Sequence, residues 1–285
     1  MSNSETISAV ARALRVLEAL SGEHELGVSE LARRTEQRPS TVHRQLSTLV
    51  EGGYVQHNPD AGTYMLGYRL LYLARRVERR DSHLRTVTRP FMRRIQRVCR
   101  ETTNLVVLDG SEIVYVDQLP GVGAVRMFAV PGRRVAAHAT AAGKAMMAWM
   151  EQKEVQDLLG TGRLQRFTTS TITNRGTLLA ALAEVRQQGY AVDLEEFEAA
   201  VTCIASALLD AGGEVVGALS ISGPTARLGG PEDRRELGEL IGAAAIDASR
   251  ELGYQGEPGI SLSQTVNEVQ SDASLASGEL TRRPP

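Results

Sequence analysis

Apolar residues recur at helical spacing over residues 8–21, where Val10, Leu14 and Leu17, with Ala13 and Leu20, form one stripe that Gly22 stops. A second helix is expected from Val28-Ser29-Glu30-Leu31-Ala32, with Ser29 placed to cap its first turn. Pro39 opens a third, since a first-turn proline gives up an N–H that would be unpaired anyway. Val42, Leu46 and Leu49 then share a face, and Gly52-Gly53 ends the helix. Two β-prone runs, 54–57 and 63–66, flank Asn58-Pro59-Asp60-Ala61-Gly62 and predict a hairpin. Three helices followed by a hairpin outline a winged helix-turn-helix over 8–67. The helix expected over 68–82 is too polar on one side for a core and reads as a linker.

From residue 83 the pattern becomes mixed. Helices are expected over 84–101, 141–149, 175–188 and 231–252, and strands over 104–108, 113–116, 124–130, 190–192, 203–209 and 215–222, with a hairpin turn at 210–213. Antiparallel hairpins with helices packed against them indicate an α+β second domain over 83–254. Residues 1–7 are expected to be flexible. Residues 255–285 have few large apolar side chains and are expected to be disordered.

A chain of 285 residues accommodates two such domains. No run of about 18 apolar residues predicts a membrane span. The N-terminus has Glu5 ahead of its apolar stretch, unlike a secretory signal, so a cytoplasmic protein with no membrane contact is expected. Cys99 and Cys203 lie far apart and match no metal spacing, which implies reduced thiols, no metal and no cofactor. The net charge is −2, but 69–100 holds eleven Arg against Glu78 and Asp81. That run is either a solvated helix face or a phosphate-contacting surface.

The chemistry of the third helix is more specific. With Val42, Leu46 and Leu49 inward, Ser40, Thr41, His43, Arg44, Ser47 and Thr48 face out or flank the core. Small donors, acceptors and an Arg suit the major groove, where Arg grips guanine O6 and N7 in bidentate fashion. Ser29 and Arg38, at the starts of the second and third helices, complete the DNA-binding set Ser29, Arg38, Ser40, Thr41, His43 and Arg44. Residues 8–70 resemble the DNA-binding domain of the IclR family of bacterial transcriptional regulators. The match is carried by Ser40-Thr41-Val42-His43-Arg44, Leu46, Thr48-Leu49 and Gly53-Tyr54-Val55. Two further stretches are similar to the same family. One is His138-Ala139-Thr140-Ala141-Ala142-Gly143-Lys144-Ala145. The other runs from Gly189 through Asp193 and Cys203-Ile204-Ala205 to 217–224.

The resemblance implies a GAF-like α/β effector-binding domain after the linker helix. It implies a sequence-specific regulator, not an enzyme, that binds double-stranded operator DNA under control of a small organic acid effector. It also implies self-association, as a dimer or a dimer of dimers. Effector contacts implied by the match are the amides of Ala141 and Ala142 and the side chains of Asp193, Cys203, Ser220 and Ser222, with apolar walls from Ala124, Met127, Val135 and Val201. The residues are compatible with that role. Thr140 can cap a helix whose first N–H groups favour an anion, and strand alternation puts Ala218, Ser220 and Ser222 on one face. The bland alternatives are an ordinary helix start packed on a sheet and serines bonded to nearby backbone. Asp193 beside a bound carboxylate is either protonated or bonded to a ligand hydroxyl. Ala200 and Ala207 depart from the family's usual Gly and Pro, which bears on pocket shape.

Two other function classes compete. A thiol enzyme would pair Cys203 with His138, yet no third, orienting residue is visible. A DNA-packaging protein would need bulk positive charge, whereas residues 1–70 hold seven Arg against eight acids.

Overall fold

The computed structural model describes residues 7–123, 127, 129–228 and 230–256. The chain divides into two compact units, the first ending at Arg80 and the second beginning at Asp81.

The first unit runs α1 (Ser8–Leu20), β1 (Leu26–Gly27), α2 (Val28–Arg34), α3 (Pro39–Glu51), β2 (Val55–Asn58), β3 (Thr63–Leu66) and α4 (Tyr68–Arg80). The strands form an antiparallel sheet in the order β1-β3-β2. Its core gathers Val16 and Leu20 of α1, Leu31 and Ala32 of α2, Val42 and Leu46 of α3, and Leu26, Val55 and Tyr64 of the sheet. The expected stripe of α1 holds only in part: Leu20 is buried and Leu17 packs on the core, but Val10 and Leu14 are each 53% exposed, and Val16, outside the stripe, is buried. The register of the buried face is set by packing on α3 rather than by the longest apolar stripe. Ser29 is not a cap: α2 starts at Val28 as expected, but its N-cap is Gly27, two residues before Ser29, because Gly27 pairs with Thr63 and stays extended. The helix expected over 68–82 is α4, which buries no side chain.

The second unit contains α5 (Ser82–Cys99), β4 (Thr102–Asp109), β5 (Glu112–Leu119), β6 (Arg134–Ala136), a short 3-10 turn at Ala137–Ala139, α6 (Ala141–Met147), α7 (Gln152–Leu159), α8 (Arg175–Gln188), β7 (Ala191–Leu194), β8 (Val201–Leu209), β9 (Val215–Pro224) and α9 (Pro231–Glu251). Six antiparallel strands lie in the order β6-β5-β4-β9-β8-β7. Side chains alternate across this sheet. Leu105, Ile204, Leu219 and Ile221 face α5 and α9 and pack with Met92, Ile95 and Ile241. Val106, Ala205 and Ala218 face α6 and α8 and pack with Ala142, Met146 and Leu178. The sequence did not indicate β6 or α7. The strand expected at 124–130 falls largely outside the described residues, and Met127, Ala129 and Val130 are not in a strand.

Two backbone features shape the surroundings of α6 and the β7–β8 turn. Thr140 caps α6, its hydroxyl accepting from Gly143 N at 3.1 Å, and all seven residues of the helix are buried. A Cβ at Gly143 would sit 2.1 Å from the Ala137 carbonyl oxygen, so only glycine lets the helix start lie against the 3-10 turn. In the turn joining β7 to β8, Glu195 (φ 59°) and Ala200 (φ 61°) are both left-handed. The backbone thus takes a glycine-type conformation at Ala200 although a Cβ is present. Left-handed φ costs a non-glycine residue about 1–2 kcal/mol, partly offset by the lower unfolded-chain entropy of alanine. Ala200→Gly should therefore raise stability by about 0.5–1 kcal/mol in chemical denaturation; an unchanged or lower midpoint would show that the turn carries no strain.

Candidate functional site

In the first unit the turn between α2 and α3 is fixed by Gln37 N donating to the Ala32 carbonyl at 3.0 Å and by Glu36 at φ 54°. With Val42 and Leu46 fully buried, α3 turns Ser40, His43 and Arg44 to solvent and leaves Thr41 half-buried. Arg38 and Ser29 are exposed as well. Neighbouring arginines are committed: Arg33 and Arg34 bond Glu30, and Arg34 also reaches Glu23. Arg38 and Arg44 have no acidic partner among the described residues, which leaves both guanidinium groups available. Ser47 and Thr48 instead donate back to the His43 and Arg44 carbonyls, at 3.0 and 3.2 Å. Part of the basic run is also committed, since Arg89 bonds Asp117 at 3.0 Å and Arg94 bonds Asp247 at 3.2 Å.

In the second unit a cleft lies on the α6 side of the sheet, with about 40 Å³ of free space, room for a few water-sized groups. Its lining includes all six expected positions, Ala141, Ala142, Asp193, Cys203, Ser220 and Ser222, together with Met127 and Val201. Val135 is not part of it; it pairs with Ile113 and is buried in the core. Ala124 lies outside the described residues.

The sheet register assembles the polar side. Asn104 stands opposite Ser220 on β9 and opposite Gln118 on β5. Cys203 stands opposite Ser222 on one side and Asp193 on the other. A polar row thus crosses five strands. Asn104 Nδ2 donates to Ser220 Oγ and Ser222 Oγ, each at 3.1 Å; Gln118 Nε2 donates to Asn104 Oδ1 at 3.0 Å; and Cys203 Sγ donates to Ser222 Oγ at 3.2 Å. Facing the row, the N–H groups of Ala141 and Ala142 open α6 and have no hydrogen-bond partner among the described residues, as expected of a helix start.

Asp193 is 2% exposed, and burial pushes its carboxyl up to about 7, although its Oδ1 accepts from Glu196 N at 2.6 Å. Behind it lies a buried ion pair. Lys144 Nζ bonds Glu196 Oε1 and donates to the Val192 carbonyl at 2.7 Å. Burial still raises the Glu196 carboxyl, despite Lys144, and Glu196 Oε2 is buried with no hydrogen-bond partner among the described residues. Thr171 Oγ1 donates to the Glu196 carbonyl at 2.6 Å, tying the 168–171 loop to the same turn. Burial pushes the Cys203 thiol up to about 12. His138 is engaged elsewhere, its Nε2 lying 2.9 Å from the Gln165 carbonyl oxygen.

Sequence reasoning missed Asn104, Gln118, Lys144 and Glu196, and also Arg133 and Glu198, which line the cleft and are exposed. Two signals were present. Asn104 is an amide set directly against the apolar run Leu105 to Leu108, and Lys144 is one of only two lysines among 32 basic residues. In an arginine-rich chain, a lysine in a small-residue helix marks a place where a compact ammonium fits and a guanidinium does not.

The IclR helix-turn-helix domain matches residues 9–59, and the bacterial transcriptional regulator IclR C-terminal domain matches residues 79–250. The chain is 35% identical over 254 residues to the HTH-type transcriptional regulator KdgR of Escherichia coli K12, spanning 89% of this chain and 96% of that one. Among solved structures, the Thermotoga maritima IclR superposes with a TM-score of 0.71 at 30% identity, covering 87% of this chain and 100% of that chain. An IclR homolog from Microbacterium hydrocarbonoxydans, solved in complex with 4-hydroxybenzoate, gives a TM-score of 0.69 at 30% identity over 86% of this chain and 99% of that one. With a helix-turn-helix in its first unit and a helix-flanked antiparallel sheet in its second, this chain belongs to the IclR family of helix-turn-helix, DNA-binding transcriptional regulators.

Proposed function

We propose that this regulator reads an operator through Ser29, Arg38, Ser40, Thr41, His43 and Arg44, and that a small organic acid in the cleft controls its binding. The single observation that carries the effector reading is the polar row from Gln118 to Asp193, which places buried hydroxyls and an acid of raised pKa around a cleft. Buried polar groups of this kind are costly unless they are partnered. The 4-hydroxybenzoate bound by the Microbacterium homolog supports a carboxylate as the effector's anchoring group. The free space favours a compact acid.

Catalysis has no place in this reading. A thiol pushed up to about 12 is protonated at neutral pH and is a poor nucleophile, and His138 is bonded away from it. The working form is a homodimer or a dimer of dimers in the cytoplasm. One reading helix covers too few base pairs for selectivity, and α4 leaves Leu71, Leu73 and Val77 exposed for a second copy. The test of the whole reading is a thermal-shift screen of small organic acids, followed by operator-binding titrations with and without each acid that raises Tm. An acid that stabilises the protein and shifts operator affinity is expected; stabilisation by acids with no change in operator affinity would defeat the regulatory reading.

At the reading head, Arg44→Ala should weaken specific operator binding by about 1–3 kcal/mol while leaving binding to random DNA nearly unchanged. Equal losses on both DNAs would confine Arg44 to a phosphate contact. In the cleft, the pH dependence follows from Asp193. Its neutral form can donate to a carboxylate, whereas its ionised form repels one. Affinity for a carboxylate effector should thus be level below about pH 7 and fall up to tenfold per unit above it. Asp193→Asn should flatten that profile. An affinity that rises through the same range in the native protein would mean that Asp193 accepts from a ligand hydroxyl.

A further inference from the structure

We propose that Asn104 is a positioning residue whose side-chain amide sets Ser220 and Ser222 as hydrogen-bond donors to the bound group, so that this end of the cleft selects an oxyanion over an amine or a neutral amide. The proposal rests on the reading of the cleft as the effector site and adds the polarity of that site.

Asn104 is 1% exposed, and its amide has two hydrogens, which point at the two serine oxygens, each 3.1 Å away. Its carbonyl oxygen is occupied by Gln118 Nε2 at 3.0 Å. The chain of donors therefore runs in one direction, from Gln118 through Asn104 to the serines. Ser222 Oγ accepts from Asn104 and also from Cys203 Sγ, which uses both of its lone pairs. A hydroxyl whose oxygen is already accepting must send its own hydrogen elsewhere. Among the described residues neither serine hydroxyl donates to any acceptor, and both side chains are buried, at 4% and 5% exposure, while lining the cleft. Two donors on buried side chains that line the cleft match a carboxylate, whose oxygens only accept, and charge-assisted bonds of this type are the stronger kind. An ammonium would meet two hydrogens with its own, and a neutral amide would offer only one oxygen.

The polarity is testable because it can be reversed. Asn104→Asp removes both amide hydrogens, and the carboxylate it introduces would draw both serine hydroxyls toward itself. The probes are acetate and its neutral isostere acetamide, titrated into the isotopically labelled full chain while the backbone amide resonances of Ser220 and Ser222 are followed. Acetate should shift both resonances saturably and bind at least tenfold more tightly than acetamide. In the native background, Ser220→Ala with Ser222→Ala should weaken acetate at least tenfold. In an Asn104→Asp background the same pair of changes should weaken it less than twofold, because the hydroxyls no longer donate. The cycle removes the direct repulsion between the introduced carboxylate and acetate from the comparison. Equal serine effects in both backgrounds, or acetamide binding as tightly as acetate, would overturn the proposal. Should Asn104→Asp fail to fold, Gln118→Leu releases the amide of Asn104 and should shrink the serine effect several-fold; an undiminished effect overturns the proposal equally. No acetate-dependent shift at either serine also overturns it, and a larger organic acid that still altered operator binding would then leave the effector reading standing.

Discussion

The register of the six-stranded sheet is the constraint on which the second unit depends. Because side chains alternate along each strand, pairing Asn104 with Ser220 and Cys203 with Ser222 decides which residues meet on the α6 face. A slip of one residue would turn Ser220 and Ser222 toward α9 and put Leu219 and Ile221 in the cleft. The two apolar clusters oppose such a slip, since β8 and β9 send Ile204, Leu208, Leu219 and Ile221 to one face and the small Ala205 and Ala218 to the other. The same register that packs the core thus assembles the polar row. The backbone at Ala200 shows how firmly the geometry is imposed, for the β7–β8 turn keeps a glycine-type conformation with alanine in place.

The polar row is held from one side by a second buried network. Lys144 ties α6 to the end of β7 through the Val192 carbonyl and Glu196, and Glu196 N holds the Asp193 carboxylate. Thr168 and Thr171 fasten the 168–171 loop to the same turn. A buried ion pair of this kind gives little net stability, because desolvation offsets most of its attraction. Its value here is positional, since three segments distant in sequence converge on Asp193, the buried acid of the cleft. A ligand that changes the charge of Asp193 therefore acts on a connected set of contacts. For that to alter DNA binding, it must favour one arrangement of the protein over another.

Much of this was legible in the sequence, for identifiable reasons. The α3 face was readable because Val42 and Leu46 fall at helical spacing and leave only polar residues opposite. Ser220 and Ser222 were readable because hydroxyls alternating with Leu219 and Ile221 are conspicuous on a buried strand. The buried face of α1 was legible only in part, because Val10 and Leu14 extend a stripe of which the core uses Leu17 and Leu20 and to which it adds Val16. Ser29 looked like a cap only because the pairing of Gly27 with Thr63, a contact across 36 positions of sequence, was invisible. Asn104, Gln118 and the Lys144–Glu196 pair escaped for the same reason. Each acquires its role from a partner on another strand or turn, and single-chain periodicity has no access to such pairings.

The most direct test of the account is amide hydrogen exchange across the full chain, with and without a saturating organic acid that shifts operator binding. The account predicts new protection concentrated in the start of α6 around Ala141 and Ala142, in β9 at Ser220 and Ser222, and in the turn after Asp193. Protection confined to other segments, with those three unchanged, would place the effector elsewhere and contradict it.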